Sequence, residues 1–201
     1  DDCSFIDKTG TVVAGPYRLA FDFSEGLAYA DDGSRQGFID TNGNWVTVLE
    51  SAAIDMSSYL SSFYPFPGSA QGFSEGLMAL QATSGGSPPG MGTADKGYVD
   101  KTGAWVIEPR FNHACDFSEG LAAVAVRKNE FSELKWGFIN KTGAWVIEPR
   151  FEYAQRFADG MAVVGASAGD YMSFGYINKT GTVVIPIQYW QAGDFSGGLA
   201  Q

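Results

Sequence analysis

The eleven residues KTGAWVIEPRF occur twice in this chain, at Lys101–Phe111 and again at Lys141–Phe151. Two short blocks each recur five times along the sequence. One is built around Asp/Asn-Lys-Thr-Gly, and the other resembles Phe-Ser-Glu-Gly-Leu. The first blocks are FIDKTG (5–10), GFIDTNG (37–43), GYVDKTG (97–103), GFINKTG (137–143) and GYINKTG (175–181). The second blocks occupy residues 23–28, 73–78, 117–122, 157–162 and 195–200. Self-similarity of this kind is the signature of a tandem-repeat architecture.

The spacing between the two blocks sets the boundaries of the units. From the first-block glycine to the second-block glycine, four of the five units span 16 or 17 residues, whereas the second unit spans 33. We therefore predict one repeat domain over residues 1–201, with insertions near 49–68 and 82–95. Its five units cover about 1–33, 34–94, 95–134, 135–173 and 174–201.

Each unit is predicted to form three strands. The first block closes a hairpin, because its glycine supplies the positive φ that such a turn requires. A strand of the AWVIEP type follows and is predicted to end at Pro109, Pro149 or Pro186. The connection to the second block has room for one short helical turn, and the third strand follows that block, as in Gly120–Val126.

Apolar residues lie on both faces of these strands, so each small sheet needs a neighbour on each side. Sheets stacked face to face, as in propellers and solenoids, meet that need. We predict an all-β fold of tandem hairpin or three-stranded repeats in a closed five-unit, propeller-like toroid. In that fold the last strand would pair beside the first hairpin. The alternative is an open, β-solenoid-like repeat array.

The composition narrows the classes of function. The chain has 201 residues and a net charge of −10, which disfavours nucleic-acid binding because phosphate contacts need clustered Lys and Arg. Its 45% hydrophobic content excludes intrinsic disorder, and no apolar run approaches the roughly 20 residues that cross a bilayer. The two cysteines, Cys3 and Cys115, form either a single bridge or two buried thiols.

The stretch Trp136–Ile147 (WGFINKTGAWVI) and the FSEGLA blocks resemble the bacterial WG (KWG) β-repeat family. The resemblance covers nearly the whole chain except the two insertions, although Trp-Gly itself occurs only at Trp136-Gly137. It implies an interaction scaffold of exported and surface proteins, and it implies no catalytic residues and no cofactor. The start at DDCSF, without Met, fits a processed, exported chain, so we expect a secreted, periplasmic or cell-surface location.

Several motifs match parts of enzyme signatures, but we interpret them as structural. Gly72–Gly76 matches G-x-S-x-G, yet Phe-Ser-Glu-Gly recurs elsewhere in the chain, so we interpret Ser74 as architectural. One histidine, His113, does not make a zinc site with two scattered cysteines. We therefore predict no catalytic residue and no metal site. The second-block carboxylates are expected to accept hydrogen bonds from neighbouring turns, with the first-block lysines as partners; they are Glu25, Glu75, Glu119 and Asp159.

Function in repeat proteins usually lies where the repeats differ. The first insertion concentrates aromatic and serine residues, including Tyr59, Phe63 and Tyr64, and Trp190 replaces a polar residue of the other units. We predict that these four side chains bind a ligand; the alternative is that they pack on the fold. The predicted function is a non-catalytic protein-interaction scaffold, and the alternative is a carbohydrate- or cell-wall-binding module. The partner is thus a protein or a cell-surface glycan, and the sequence does not define an oligomeric state.

Overall fold

The computed structural model describes residues 2–49, 72–82, 96–127, 132–169 and 171–201. All the regular elements in these ranges are strands, which form five small antiparallel sheets. The described residues contain no helix long and apolar enough to cross a membrane. The prediction of an all-β repeat fold is confirmed.

We number the sheets 1 to 5 along the chain. Sheet 1 pairs β1 (Cys3–Ile6) with β2 (Val12–Tyr17). Sheet 2 has the order β3 (Leu19–Ala20), β4 (Leu27–Asp31), β5 (Gln36–Asp40) and β6 (Trp45–Leu49). Sheet 3 has the order β7 (Leu77–Gln81), β8 (Lys96–Asp100) and β9 (Trp105–Phe111). Sheet 4 has the order β10 (His113–Ala114), β11 (Leu121–Val126), β12 (Lys135–Asn140) and β13 (Trp145–Phe151). Sheet 5 has the order β14 (Tyr153–Ala158), β15 (Met161–Ala168), β16 (Tyr171–Asn178) and β17 (Val183–Tyr189).

The sheets do not coincide with the sequence repeats. The strand after each second block pairs with the hairpin of the following unit: β11 pairs with β12 from Leu121 opposite Asn140 to Val126 opposite Lys135. Sheets 2 to 5 therefore each take their hairpin from one unit and the strand beside that hairpin from the unit before. This offset ties consecutive units together through backbone hydrogen bonds as well as through side chains.

Two local expectations were wrong. The predicted helical turn before the second block is a strand instead, as in β10 and β14. The prolines do not end their strands, because Pro109, Pro149 and Pro186 lie inside β9, β13 and β17. Each of these strands is the outermost of its sheet, where a residue without an N–H donor costs no ladder hydrogen bond.

The glycine at the centre of each inner hairpin strand has a steric role. A Cβ atom on Gly137 would lie 2.5 Å from the carbonyl oxygen of Ile147 and 2.8 Å from the nitrogen of Pro149. The register between β12 and β13 shifts at this point, which brings the two backbones together. The glycine of the Trp-Gly pair is therefore required by the close approach of the neighbouring strand.

Four apolar clusters fill the spaces between consecutive sheets, which confirms the predicted face-to-face stacking. The cluster between sheets 4 and 5 contains Phe138, Phe157 and Ile177, each 0% exposed. The second-block phenylalanine packs on an aromatic residue of the hairpin, as with Phe138 and Phe157, whose ring centroids are 4.9 Å apart. The repeated phenylalanines therefore pack between neighbouring sheets.

The predicted closed toroid is not supported. Among the described residues, β1 pairs with β2 alone, and Gly198–Gln201 forms no strand beside it. Leu199 is 78% exposed, whereas its counterpart Leu121 is 8% exposed under its partner strand. The sheets described here form a run without a pairing that closes it.

Candidate functional site

The second block forms the same tight turn in each unit. Ser118 N–H donates to the Leu121 carbonyl at 2.8 Å, and Leu121 N–H donates back to Ser118 at 3.1 Å. Between them, Glu119 has a φ of 54° and Gly120 a φ of 85°, which is the backbone of a type I′ hairpin turn. Positive φ is uncommon for glutamate, so something beyond the turn must favour a carboxylate at this position.

The turn carboxylate reaches the next sheet. Glu119 accepts a hydrogen bond from the Gly160 N–H at 3.1 Å, and Lys179 Nζ lies 2.9 Å from its Oε2. Lys179 also donates to the backbone carbonyl of Glu119 at 3.1 Å. The Lys179 ammonium and the Gly160 N–H together outweigh partial desolvation and lower the pKa of Glu119.

The same contacts recur at the earlier junctions. Glu25 pairs with Lys101 at 3.1 Å and Glu75 pairs with Lys141 at 2.9 Å. The sequence-based interpretation of these carboxylates as structural is therefore confirmed for three of the four. The fourth, Asp159, accepts from the Gly198 N–H at 3.0 Å but forms no ion pair among the described residues.

The serine of the apparent G-x-S-x-G motif also takes part in the contacts between turns of successive sheets. Ser74 Oγ donates to the Phe117 carbonyl of the next turn at 2.7 Å, and Ser118 Oγ does the same to Phe157 at 2.7 Å. Ser74 therefore makes a contact that recurs between successive repeats.

The His113 ring stacks on Trp136, with centroids 5.9 Å apart and planes 21° apart.

The hairpin turns are built on a side-chain acceptor. Asn140 Oδ1 accepts from the N–H groups of Thr142 and Ala144, both at 3.0 Å, and from Thr142 Oγ1 at 2.7 Å. Asp100 holds the equivalent turn, and its bonds from Thr102, opposed by a little desolvation, lower the pKa of its carboxyl. The Asp/Asn-Lys-Thr-Gly sequence therefore supplies a self-contained turn and one lysine for the junction.

Sequence reasoning missed Asp116. Its Oδ1 is buried and has no hydrogen-bond partner, and desolvation raises the pKa of this carboxyl to about 6 against the opposing charge of Arg156. The corresponding positions hold Asp22, Gly72, Arg156 and Asp194. The one available sequence signal was the variation at this position, which precedes the second-block phenylalanine and holds Asp in three units, Gly in one and Arg in one.

The cysteines are not bridged. Cys115 is buried, and desolvation raises the pKa of its thiol to about 12. Cys3 is exposed on β1, where its Sγ donates to the Tyr17 carbonyl at 3.3 Å. Of the two alternatives left open by the sequence, the bridge is not formed, and only one of the thiols is buried.

The predicted ligand-binding residues are only partly described. Tyr59, Phe63 and Tyr64, with nearly all of both insertions, lie outside the described residues. Trp190 directly follows β17 and is 68% exposed, so its ring is not packed on the fold. Its neighbour is Tyr171 at the start of β16, 62% exposed, with ring centroids 5.0 Å apart and planes tilted by 49°. We call these two side chains the aromatic pair; sequence reasoning had found only its tryptophan.

The geometry of the aromatic pair bears on its chemistry. Two rings tilted by 49° cannot both lie flat beneath one sugar ring, but they present a wedge-shaped apolar surface with polar tips. Exposed Trp and Tyr side chains are enriched among the residues that dominate protein–protein binding energies.

A sequence model of the family described as "WG containing repeat" matches residues 97–129, 136–165 and 174–201. No curated protein matches the chain. The two units that precede the matched region have the same hairpin and second-block turns, with Gly43 at φ 80° and Gly26 at φ 84°.

Proposed function

The chain belongs to the WG repeat family, and from that premise we propose that it is a non-catalytic protein-binding scaffold. The observation that carries the proposal is the exposed aromatic pair, Trp190 and Tyr171, on the last sheet. Large aromatic side chains are normally buried where a fold can bury them, so two adjacent exposed rings favour a contact surface.

The absence of a catalytic role is part of the proposal. The hydroxyl and carboxylate groups that recur in the chain are engaged in contacts between sheets: Ser74 with Phe117, and Glu75 with Gly120 and Lys141. Groups committed to holding neighbouring repeats together are poorly placed to act on a substrate. We further propose an exported bacterial protein, located in the periplasm, at the cell surface or outside the cell.

The arrangement of the repeats also belongs to the proposal. Each of the four apolar clusters joins one sheet to the next along the chain, and the edge of β1 is unpaired by any strand except β2 in the described region. These contacts favour the open repeat array over the closed toroid. An extended run of sheets offers a long surface on which a partner can bind.

The test compares three baits, the wild type and two variants, in a pull-down from the envelope and culture fractions of the source cells. Trp190→Ala combined with Tyr171→Ala removes the aromatic pair, and Val184→Ala changes another exposed residue, 52% exposed on the neighbouring β17, as the matched control. We expect a protein captured by the wild type and the control to be lost with the double variant. Equal capture by all three baits would contradict the assignment of the pair.

A carbohydrate- or cell-wall-binding module is the second candidate, favoured by the 68% exposure of Trp190. One aromatic face can stack on one sugar ring even when its neighbour is tilted. Cosedimentation with purified peptidoglycan sacculi and with chitin distinguishes the candidates. Binding that Trp190→Ala abolishes and Val184→Ala leaves unchanged would establish the carbohydrate function and overturn the protein-binding proposal.

A further inference from the structure

In the part of the chain that the structure describes, one buried side-chain oxygen has no hydrogen-bond partner. It is Oδ1 of Asp116, which lies between β10 and the second-block Phe117. A charged carboxylate is costly in such a place, because burial removes the water that stabilises the charge. Burial accordingly raises the pKa of Asp116 to about 6, and the charge of Arg156 opposes this shift. Asp116 therefore loses its proton near pH 6.

The position that Asp116 occupies, directly before the second-block phenylalanine, is stacked from one unit to the next. Between the first two units, a Cβ on Gly72 would lie 2.7 Å from Ser24 Cβ, so the later residue lies against the block of the earlier unit. In the two units that follow Asp116, this position holds Arg156 and then Asp194. Three consecutive units therefore place a negative, a positive and a negative side chain in one row.

Arg156, on β14, is the middle member of this row and is bonded to only one of the two carboxylates. Its Nε donates to Asp194 Oδ2 at 3.1 Å, and these two side chains are 54% and 31% exposed. Arg156 acts on Asp116 through its charge, yet the two side chains form no ion pair in the described region. This is the arrangement expected when Asp116 is protonated, because a neutral carboxyl does not attract the guanidinium.

The other titratable groups near Asp116 lie on its own segment and on β8. Desolvation, and after it the Asp116 charge, raises the pKa of the neighbouring Cys115 thiol, while Lys96 of β8 lowers it. The thiol therefore stays protonated near pH 6. His113, three residues earlier on β10, is the one histidine of the chain, and a histidine ordinarily titrates in this range. The Arg156 guanidinium is the cation that acts on Asp116 itself.

We propose that Asp116, Arg156 and Asp194 form a pH-dependent switch in which two carboxylates compete for one guanidinium. With Asp116 protonated, Arg156 holds Asp194, as in the structure. When Asp116 loses its proton to solvent, the guanidinium moves to the Asp116 carboxylate, because an unpaired buried anion costs more than an unpaired exposed one. The contact between β14 and Asp194 is then lost. This inference is independent of the aromatic pair and of the proposed function.

NMR of the 201-residue chain between pH 4.5 and pH 8 tests the proposal. The carboxyl carbon of Asp116 gives its titration midpoint, and the ring signals of His113 separate the two titrations. We expect the cross-peaks from the Arg156 Nε–H to the Asp194 β protons to weaken through the Asp116 midpoint, while cross-peaks to the Asp116 β protons appear. In Asp116→Asn, which stays neutral, the cross-peaks to Asp194 should persist at every pH. Asp22→Asn, at the same repeat position, should behave as the wild type does.

Amide hydrogen exchange measures the consequence for the turn that follows Asp194. The Ser196 N–H donates to the Leu199 carbonyl at 2.9 Å in that turn. At pH 7.5 it should exchange about 2- to 5-fold faster in the wild type than in Asp116→Asn, and at pH 5 the two rates should agree. The Ser24 N–H, in the equivalent turn of the first unit, should exchange equally in both proteins.

Two results would overturn the switch. One is an Arg156–Asp194 contact that stays unchanged while Asp116 titrates, because the guanidinium would then not move. The other is an Asp116 carboxyl that keeps one charge state from pH 4.5 to pH 8, because nothing would then drive the exchange of partners.

Discussion

At the scale of single residues, the junctions use a carboxylate where backbone geometry favours glycine or asparagine. Glu25, Glu75, Glu119 and Asp159 all have φ between 50° and 54°. The carboxylate offsets the strained backbone because it accepts an N–H bond from the next turn and, in the three glutamates, a lysine ammonium. Recurrence in four of the five units indicated that these residues are structural, but their partners depend on the stacking of the sheets.

The Glu119–Lys179 pair provides a measurable share of the junction between sheets 4 and 5. Glu119→Gln and Lys179→Met should show a coupling free energy of about 0.3 to 1 kcal/mol in a double-mutant cycle, since the pair is half-exposed. Urea unfolding at low and high salt measures it, and salt should reduce the coupling. Glu148→Gln, an exposed carboxylate on β13, serves as the control. Zero coupling at low salt would show that the ion pair does not stabilise this junction.

Asp116 makes stability depend on pH. Burial raises the pKa of its carboxyl from 3.8 to about 6, so the folded protein binds this proton more tightly than the unfolded chain does. Stability should therefore fall as the pH rises from about 4 to about 6. Asp116→Asn removes this slope and should stabilise the protein at pH 7.5 by about 1 to 3 kcal/mol.

Thermal or urea unfolding at pH 4.5 and pH 7.5 measures the effect of Asp116. Asp22→Asn is the matched control, because Asp22 occupies the same repeat position and is exposed. The control should change stability by less than about 0.5 kcal/mol at either pH. An Asp116→Asn protein that is less stable than the wild type at pH 7.5 would contradict the interpretation.

At the scale of elements, hairpins and third strands could be predicted from the sequence because their signals are local. The glycine of each first block and the alternating apolar residues around it determine the turn, as at Gly143, with φ 82°. The short strands β10 and β14 and the continuation of strands through proline could not be predicted in this way. Both depend on which strand lies at the edge of a sheet, and that follows from tertiary pairing.

Gly137 tests the close approach of β12 and β13. A Cβ at this position would be 2.5 Å from the Ile147 carbonyl oxygen, so Gly137→Ala forces the strands apart. We expect a loss of about 2 to 3 kcal/mol in the free energy of unfolding. Gly193→Ala, where the nearest atom would be 3.7 Å away, should cost less than about 0.5 kcal/mol. Equal effects of the two substitutions would show that the backbones are not held together there.

At the scale of the whole molecule, the repeat pattern predicted stacked sheets, but it did not predict how units and sheets are offset. Closure was expected from the sequence because five units without polar caps would leave a sheet edge exposed in an open array. In the structure that edge and Leu199 remain exposed, since each apolar cluster joins only consecutive sheets. Of the predicted ligand-binding residues, Trp190 is described, and its pairing with Tyr171 depends on the register of β16 and β17.

The free edge of β1 distinguishes an open run of sheets from a closed one, and the backbone amide of Ile6 reports on that edge directly. The Asp7 N–H donates to Thr11 in the hairpin, so the preceding N–H, that of Ile6, points away from β2. Its counterpart in β12 is Ile139, which lies opposite Ala122 of the inner strand.

Amide hydrogen exchange measured by NMR, at a dilution where the chain sediments as a monomer, compares Ile6 with Ile139. We expect Ile6 to exchange close to the rate of an unstructured amide and Ile139 to exchange at least about 1,000-fold more slowly, as buried ladder amides do. Protection of Ile6 equal to that of Ile139 in the monomer would contradict the open arrangement, because the chain's own strand would then cover the edge and the run of sheets would be closed.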